Sequence, residues 1–373
     1  MMRAGFFAVT ATSIATALLS CADSTSPDPT IASFTITPAG TTVAGVGSKQ
    51  TFTASLLDQS DNPISSVPIT WSSLNPNVAT IDRETGEATA VASGQVTIAA
   101  TAADTTVYAL LTVAVPGLAP VANWTSQDLG FLVLNVWGAA PDDVYAVGGG
   151  RSGGRVAHYN GTDWQVSVVT DSSGLWSVWG TSSSDVFAVG DHGAIVHYDG
   201  TSWSSMVSPT TGPLFDVWAA APNDVIAVGG GGKLHYDGMS WTVTDASAVS
   251  SWAVWGTSST NLHFAGASEE RDLWGTSASD IFSVAPNGRI MHYNGVSWSS
   301  MSSGTNEPLL GVWGAAPDDV YAVGFAGEIL HYDGVDWSPL NSGTNTELWK
   351  VWGISSGDVF VVSRYGPVLR GTR

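Results

Sequence analysis

From residue 31 onward the chain alternates apolar and polar positions in short runs separated by turn residues. Phe34-Thr35-Ile36, Gln50 to Ala54, Ile69-Thr70-Trp71, Gly94 to Ala99 and Leu110 to Val115 follow a period of two and are rich in Thr and Val. That pattern predicts half-buried strands. The 85 residues from 31 to 115 suit a small β-sandwich.

From residue 122 a longer repeat takes over. A Trp followed by Gly or Ala recurs at Trp137, Trp179, Trp218, Trp255, Trp274, Trp313 and Trp352, at spacings of 42, 39, 37, 19, 39 and 39. Each copy reads as four strands. The first ends at Val-Trp-Gly, the second is Asp-Val-Tyr-Ala-Val-Gly or a variant, the third ends in His-Tyr, and the fourth opens on another Trp. Asn160-Gly161, Asp199-Gly200, Asp237-Gly238, Asn294-Gly295 and Asp333-Gly334 favour tight hairpins between the last two strands. Four antiparallel strands at a period near 39 predict a propeller blade.

The ends of the repeat predict closure. The last copy stops near Arg370 without a fourth strand, while Asn123-Trp124-Thr125-Ser126 matches the fourth strands elsewhere. The N-terminal strand should therefore complete the C-terminal blade and remove the exposed edges. One copy is short: Trp255 and Asn261 to Ala265 lead directly into Arg271-Asp272-Leu273-Trp274. The expectation is an all-β chain, a sandwich followed by a six- or seven-bladed β-propeller with one blade truncated.

The N-terminus reads differently. Arg3 precedes an apolar stretch from Ala4 to Leu19, too short to span a bilayer comfortably. Leu18-Leu19-Ser20-Cys21 resembles a bacterial lipobox, which implies lipidation at Cys21; cleavage near Ser20 or Ala22 is the alternative. Ala22 in place of Asp implies sorting outward, to the outer membrane or cell surface. The organisation expected is a lipoprotein signal peptide over 1–20, a tether over 21–30, the sandwich over 31–115, a linker over 116–121 and the propeller over 122–373.

Within the sandwich, Thr70-Trp71-Ser72-Ser73, Asn75-Pro76-Asn77-Val78-Ala79-Thr80-Ile81, Thr85-Gly86-Glu87-Ala88-Thr89-Ala90 and Gly94-Gln95-Val96-Thr97-Ile98 resemble a bacterial Ig-like domain of group 2. The resemblance implies a spacer or adhesion module. The later copies resemble the tryptophan-rich propeller repeats of bacterial surface lipoproteins.

Composition narrows the function. Lys and Arg number 12 against 32 Asp and Glu, a net charge of −20, which excludes nucleic-acid binding by a broad basic face. One Cys permits no internal disulfide, and Cys/His zinc spacings are absent. No cofactor or metal is expected.

Residues shared by every copy should build the frame, and residues that vary should be free to bind. The repeated His (His158, His197, His235, His292, His331) and the paired Trp series are expected to be structural. The repeated Asp before the second strand (Asp143, Asp185, Asp224, Asp280, Asp319, Asp358) is expected to cap turns, with calcium as an alternative. Trp176, Trp252 and Trp349 are extra, each three residues before a first-strand Trp, and are ligand candidates.

The rim carrying the loops between strands 1 and 2 and between strands 3 and 4 collects thirteen acids and is expected to hold no base. The opposite rim varies between copies and carries Arg151, Arg155, Lys233, Arg271, Arg289, Lys350 and Arg364, with His192 in one loop. Binding is expected there, with arginines gripping a carboxylate or sulfate. Nucleophile-elbow and Walker motifs are absent, so no catalytic residue is assigned. The resulting expectation is a non-catalytic, lipid-anchored cell-envelope protein whose propeller binds a surface glycan, or an envelope or host protein. A scaffold of an outer-membrane complex and a propeller-type carbohydrate-active enzyme are the alternatives.

Overall fold

The computed structural model describes residues 30–92, 94–114, 120–150, 153–171, 173–247, 251–266, 269–355, 357–364 and 366–373. Residues 1–20, read above as a signal peptide, with Cys21, nearly all of the expected tether, most of the expected linker and Arg151, lie outside the described residues. Among those described, no helix is long and apolar enough to cross a membrane.

The first unit is a β-sandwich. One sheet brings together Gly40–Ala44, Thr105–Ala114, Gly94–Ala102 and Thr70–Ser73; Lys49–Thr51, Glu87–Ala90 and Ala79–Ile81 form another. Ser33–Thr37 pairs with Thr53–Leu57. Phe52, Trp71, Val78, Ile98 and Leu111 are buried between them, which is where period-two strands must place their apolar faces. Gly86 turns at φ +70° against the Trp71 indole, where a Cβ would come within 2.6 Å of the Phe52 carbonyl. Only glycine fits that turn.

The second unit is a closed ring of seven sheets, which settles the blade count left open by the sequence. The inner strands of blades one to seven are Val133–Ala140, Leu175–Ser182, Leu214–Ala221, Ala253–Ser258, Asp272–Ser277, Leu309–Ala316 and Leu348–Ser355. Six sheets have four strands, and blade four has two, Ala253–Ser258 and Asn261–Ala265. Asn123–Gln127 pairs antiparallel with Val368–Thr372 and completes blade seven, as its sequence match predicts.

The Trp-Gly pair follows from blade packing. Five first-strand Trp residues lie over the glycine of the next blade: a Cβ on Gly180 would sit 2.5 Å from Trp137, and one on Gly353 would sit 2.6 Å from Trp313. Removing the side chain lets neighbouring Trp rings approach at 6.4–6.5 Å between centroids. Fourth-strand Trp rings pack on third-strand Tyr rings, as in Tyr159–Trp164 and Tyr332–Trp337, both at 5.3 Å.

Two expectations about the acidic rim are corrected. The repeated Asp residues do not chiefly cap turns. They meet the third-strand His Nε2 across the sheet: Asp143–His158 at 2.6 Å, Asp185–His197 at 2.7 Å, Asp224–His235 at 2.8 Å, Asp280–His292 at 2.6 Å and Asp319–His331 at 2.8 Å. Blade seven puts Arg370 in the His position, bonded to Asp358, and Arg373 reaches Asp319 at 3.2 Å. Among the described residues that rim therefore holds two arginines, both supplied by the seam. The sandwich also rests on it. Thr97 donates to the Asn294 carbonyl at 2.9 Å, Ser279 donates to the Leu74 carbonyl, and Gly94 lies close against Pro317.

Candidate functional site: the mouth of the propeller channel

The inner strands enter from the varied rim, so their first residues surround the mouth of the central channel. Three positions before each Trp-Gly Trp stand Leu134, Trp176, Phe215, Trp252, Arg271, Leu310 and Trp349. All seven line one cavity of about 120 Å³, together with Asn135, Asp216, Ala253, Asp272 and Lys350 beneath them. The three extra tryptophans thus converge from blades two, four and seven. A second space of about 40 Å³ continues down the channel between the Val and Trp layers.

The mouth is aromatic and fixed. Trp176 donates its indole N–H to Asp191 at 2.8 Å, and Trp349 donates to Glu347 at 3.3 Å. Phe215 stacks on Trp252 at 4.6 Å and meets Trp176 edge-on at 5.8 Å. Trp252 nevertheless stays 43% exposed. The Arg271 guanidinium lies 5.6 Å from the Trp252 ring and that of Arg364 lies 4.7 Å from Trp349.

Below this ring, one position further along each strand, lies a polar layer. Ser177 donates to Asp216 at 2.6 Å and accepts from the Val217 amide at 3.3 Å; Asp216 also accepts from the Val254 amide at 2.9 Å. Asn135 donates to Ser177 at 3.1 Å. Lys350 reaches across the channel to Asp272 at 2.7 Å, and Asp272 accepts from the Val312 amide at 3.0 Å. The side chains close the channel-facing edges of the inner strands, which would otherwise bury unpaired amides. Burial pushes the Asp216 carboxyl up, against the opposing pull of Lys350 and Ser177. Burial works to lower the Lys350 ammonium, but Asp272 and Asp216 outweigh it and hold the amine above its ordinary value.

The other sequence candidates lie outside this cavity. Arg155 packs near Phe131 at 6.0 Å and Lys233 near Phe264 at 5.7 Å. Arg289 is held by Glu270 at 3.4 Å and Glu269 at 4.0 Å. Arg364 pairs with Glu347 at 3.7 Å. His192 is exposed in the turn Asp191–Gly193 at φ 57°, a turn position that Ala326 fills in blade six at φ 55°. Sequence reasoning missed Phe215, Asn135, Asp216 and Asp272; Phe215 stands three positions, and the other three stand two positions, before the Trp of a Trp-Gly or Trp-Ala pair. Wider, shallower clefts run along the outer strands, one of about 440 Å³ beside Val168 and Trp203. Among the described residues, no group of acids, His or Cys is arranged to hold a metal.

The model of the bacterial Ig-like domain (group 2) matches residues 30–113. The N-terminal unit is such a domain. No curated protein matches the chain in sequence. Solved propellers share the fold of the rest. The structure described as YCF48 bound to D1 peptide is 16% identical, with a TM-score of 0.55 over 68% of this chain and 100% of that one. YCF48 from Cyanidioschyzon merolae is 16% identical, at 0.53 over 67% and 99%. The WD40 propeller domain of Doa1 is 14% identical, at 0.53 over 68% and 96%. An Ig-like domain of this group carrying a propeller fits a surface-type protein.

Proposed function

We propose that this chain is a non-catalytic binding protein of the bacterial cell envelope. Its propeller takes a ligand, a glycan in the first reading, at the channel mouth, and its Ig-like domain is the support. The observation that carries this is the convergence of Trp176, Trp252 and Trp349 with Phe215 around a single cavity. That mouth lies on the rim opposite the one on which the Ig-like domain rests. A support on one side and an open aromatic mouth on the other suit presentation of the mouth away from an anchor, with lipidation at Cys21 as the anchor proposed.

The non-catalytic reading draws on the two mouth carboxylates. A glycosidase needs one carboxylate free to give a proton and another free to attack or to activate water. Both oxygens of Asp216 and both of Asp272 are already engaged by Ser177, Val254, Lys350 and Val312. A second reading, a scaffold gripping a peptide of an envelope complex, draws on the fold shared with YCF48, which is solved with a peptide bound.

The test is a screen of the purified protein on bacterial and host glycans, alongside Trp252→Ala. Trp252 is partly exposed, so its truncation should leave the fold intact. Glycan binding weakened about tenfold or more in the variant is the expected result. Binding indifferent to Trp252 moves the site off the mouth, and silence on the array with crosslinking to an envelope protein favours the scaffold.

A further inference from the structure

The mouth's side chains offer a ligand unequal hydrogen-bonding capacity. Its carboxylates are buried and each oxygen already has a partner: Asp216 takes bonds from Ser177 and the Val254 amide, and Asp272 takes them from Lys350 and the Val312 amide. The indole N–H groups of Trp176 and Trp349 are tied to Asp191 and Glu347. What remains is the indole N–H of the exposed Trp252 and two cationic donors. Arg271 is exposed at the mouth, near the Trp252 ring, and has no carboxylate partner among the described residues. It is the single charge in a ring of seven otherwise apolar positions. Lys350, bonded once to Asp272, keeps further N–H groups beneath it.

The backbone around the channel is equally informative. The channel-side amides of Val136, Val217, Val254 and Val312 are taken by Asn135, Ser177, Asp216 and Asp272. An extended peptide would find no ladder to join at those positions. Recognition falls to side chains: flat indole walls and one guanidinium.

We infer that the mouth selects a sugar bearing a single carboxylate, the sugar body lying against the Trp176 and Trp349 walls and the carboxylate on Arg271. This rests on the mouth being the binding site. A guanidinium grips a carboxylate with two parallel N–H···O bonds. A polyanion is disfavoured, because the protein as a whole carries −20.

The experiment is calorimetric titration of the purified protein with a trisaccharide ending in glucuronic acid, with the methyl ester of that trisaccharide, and with a hexapeptide having a free C-terminus. The acid should bind about tenfold or more tightly than the ester. Arg271→Gln should erase that difference, and Arg289→Gln, whose parent residue is held by Glu269 and Glu270, should keep it. Equal affinity for acid and ester, lost in Trp252→Ala but unmoved by Arg271→Gln, overturns the carboxylate inference and leaves the mouth reading standing. Binding unmoved by either substitution overturns both. Peptide binding without sugar binding, or no binding of either sugar by the folded protein, overturns the sugar class.

Discussion

Lys350 places a positive charge in the middle of a ring whose polar neighbours are carboxylates. Asp272, only 3% exposed, depends on it for neutralisation. Removing one partner of such a pair strands the other charge, which costs about 3–5 kcal/mol. Lys350 is itself 24% exposed, so the lower end applies. Lys350→Met should destabilise the protein by about 3 kcal/mol in denaturant unfolding, and Lys350→Met with Asp272→Leu should recover much of that loss. The tryptophans of the mouth were legible in the sequence because they stand out from the repeat. The polar layer was not, because its residues (Asn135, Ser177, Asp216, Ala253, Asp272, Gly311, Lys350) share a position and no chemistry. Arg289 and Arg364 read as ligand residues because a base in a variable loop looks available; Glu270 and Glu347 hold them instead.

The hairpins between third and fourth strands carry their own pH dependence. Asp199 accepts from the Thr201 and Ser202 amides, and Asp237 from those of Met239 and Ser240, all at 2.8–2.9 Å. The Ser202 and Ser240 amides, followed by those of Thr201 and Met239, hold these carboxyls below the ordinary Asp value. The folded state therefore binds fewer protons than the unfolded one in acid. The stabilisation is complete above the unfolded pKa of about 3.9 and is lost as the pH falls through the folded values. Asn160 and Asn294 make the same turn with an amide oxygen. The Asp199→Asn, Asp237→Asn double variant should thus keep its hairpins, and its Tm should drop less than the parent's between about pH 5 and pH 3. Calorimetry along that series checks it. These turns were legible from the Asx-Gly pairs. The His–Asp bonds were not, since they join residues 11 to 15 positions apart that meet only once strands two and three are in register.

Closure of the ring depends on one short strand that lies far from its partners in sequence. Asn123–Gln127 covers the edge of Val368–Thr372, Val121 is buried just before it, and the Val121 amide donates to the Tyr321 hydroxyl at 3.3 Å. A chain beginning at residue 120 should keep the oligomeric state of the full chain and melt cooperatively. One beginning at residue 128 should expose the Val368–Thr372 edge and aggregate. Size-exclusion chromatography and calorimetry distinguish the two. The seam was legible because Asn123-Trp124-Thr125-Ser126 repeats the fourth-strand pattern. The seating of the Ig-like domain on the propeller was not, because the carbonyls of Leu74 and Asn294 make it and a carbonyl leaves no mark on residue type.

The polar layer of the channel also has a direction. Ser177 of blade two accepts from Val217 of blade three, Asp216 of blade three accepts from Val254 of blade four, and Asp272 of blade five accepts from Val312 of blade six. Each hand-off runs forward along the chain. A copy of blade three, which gives its Val217 amide to the blade behind and accepts with Asp216 from the blade ahead, would orphan no buried group; Ala253 of blade four and Gly311 of blade six bring no acceptor of their own. Blade four, with an inner pair of strands and no outer pair among the described residues, still gives its Val254 amide to Asp216, so its tie to blade three lies at the hub and does not need the periphery.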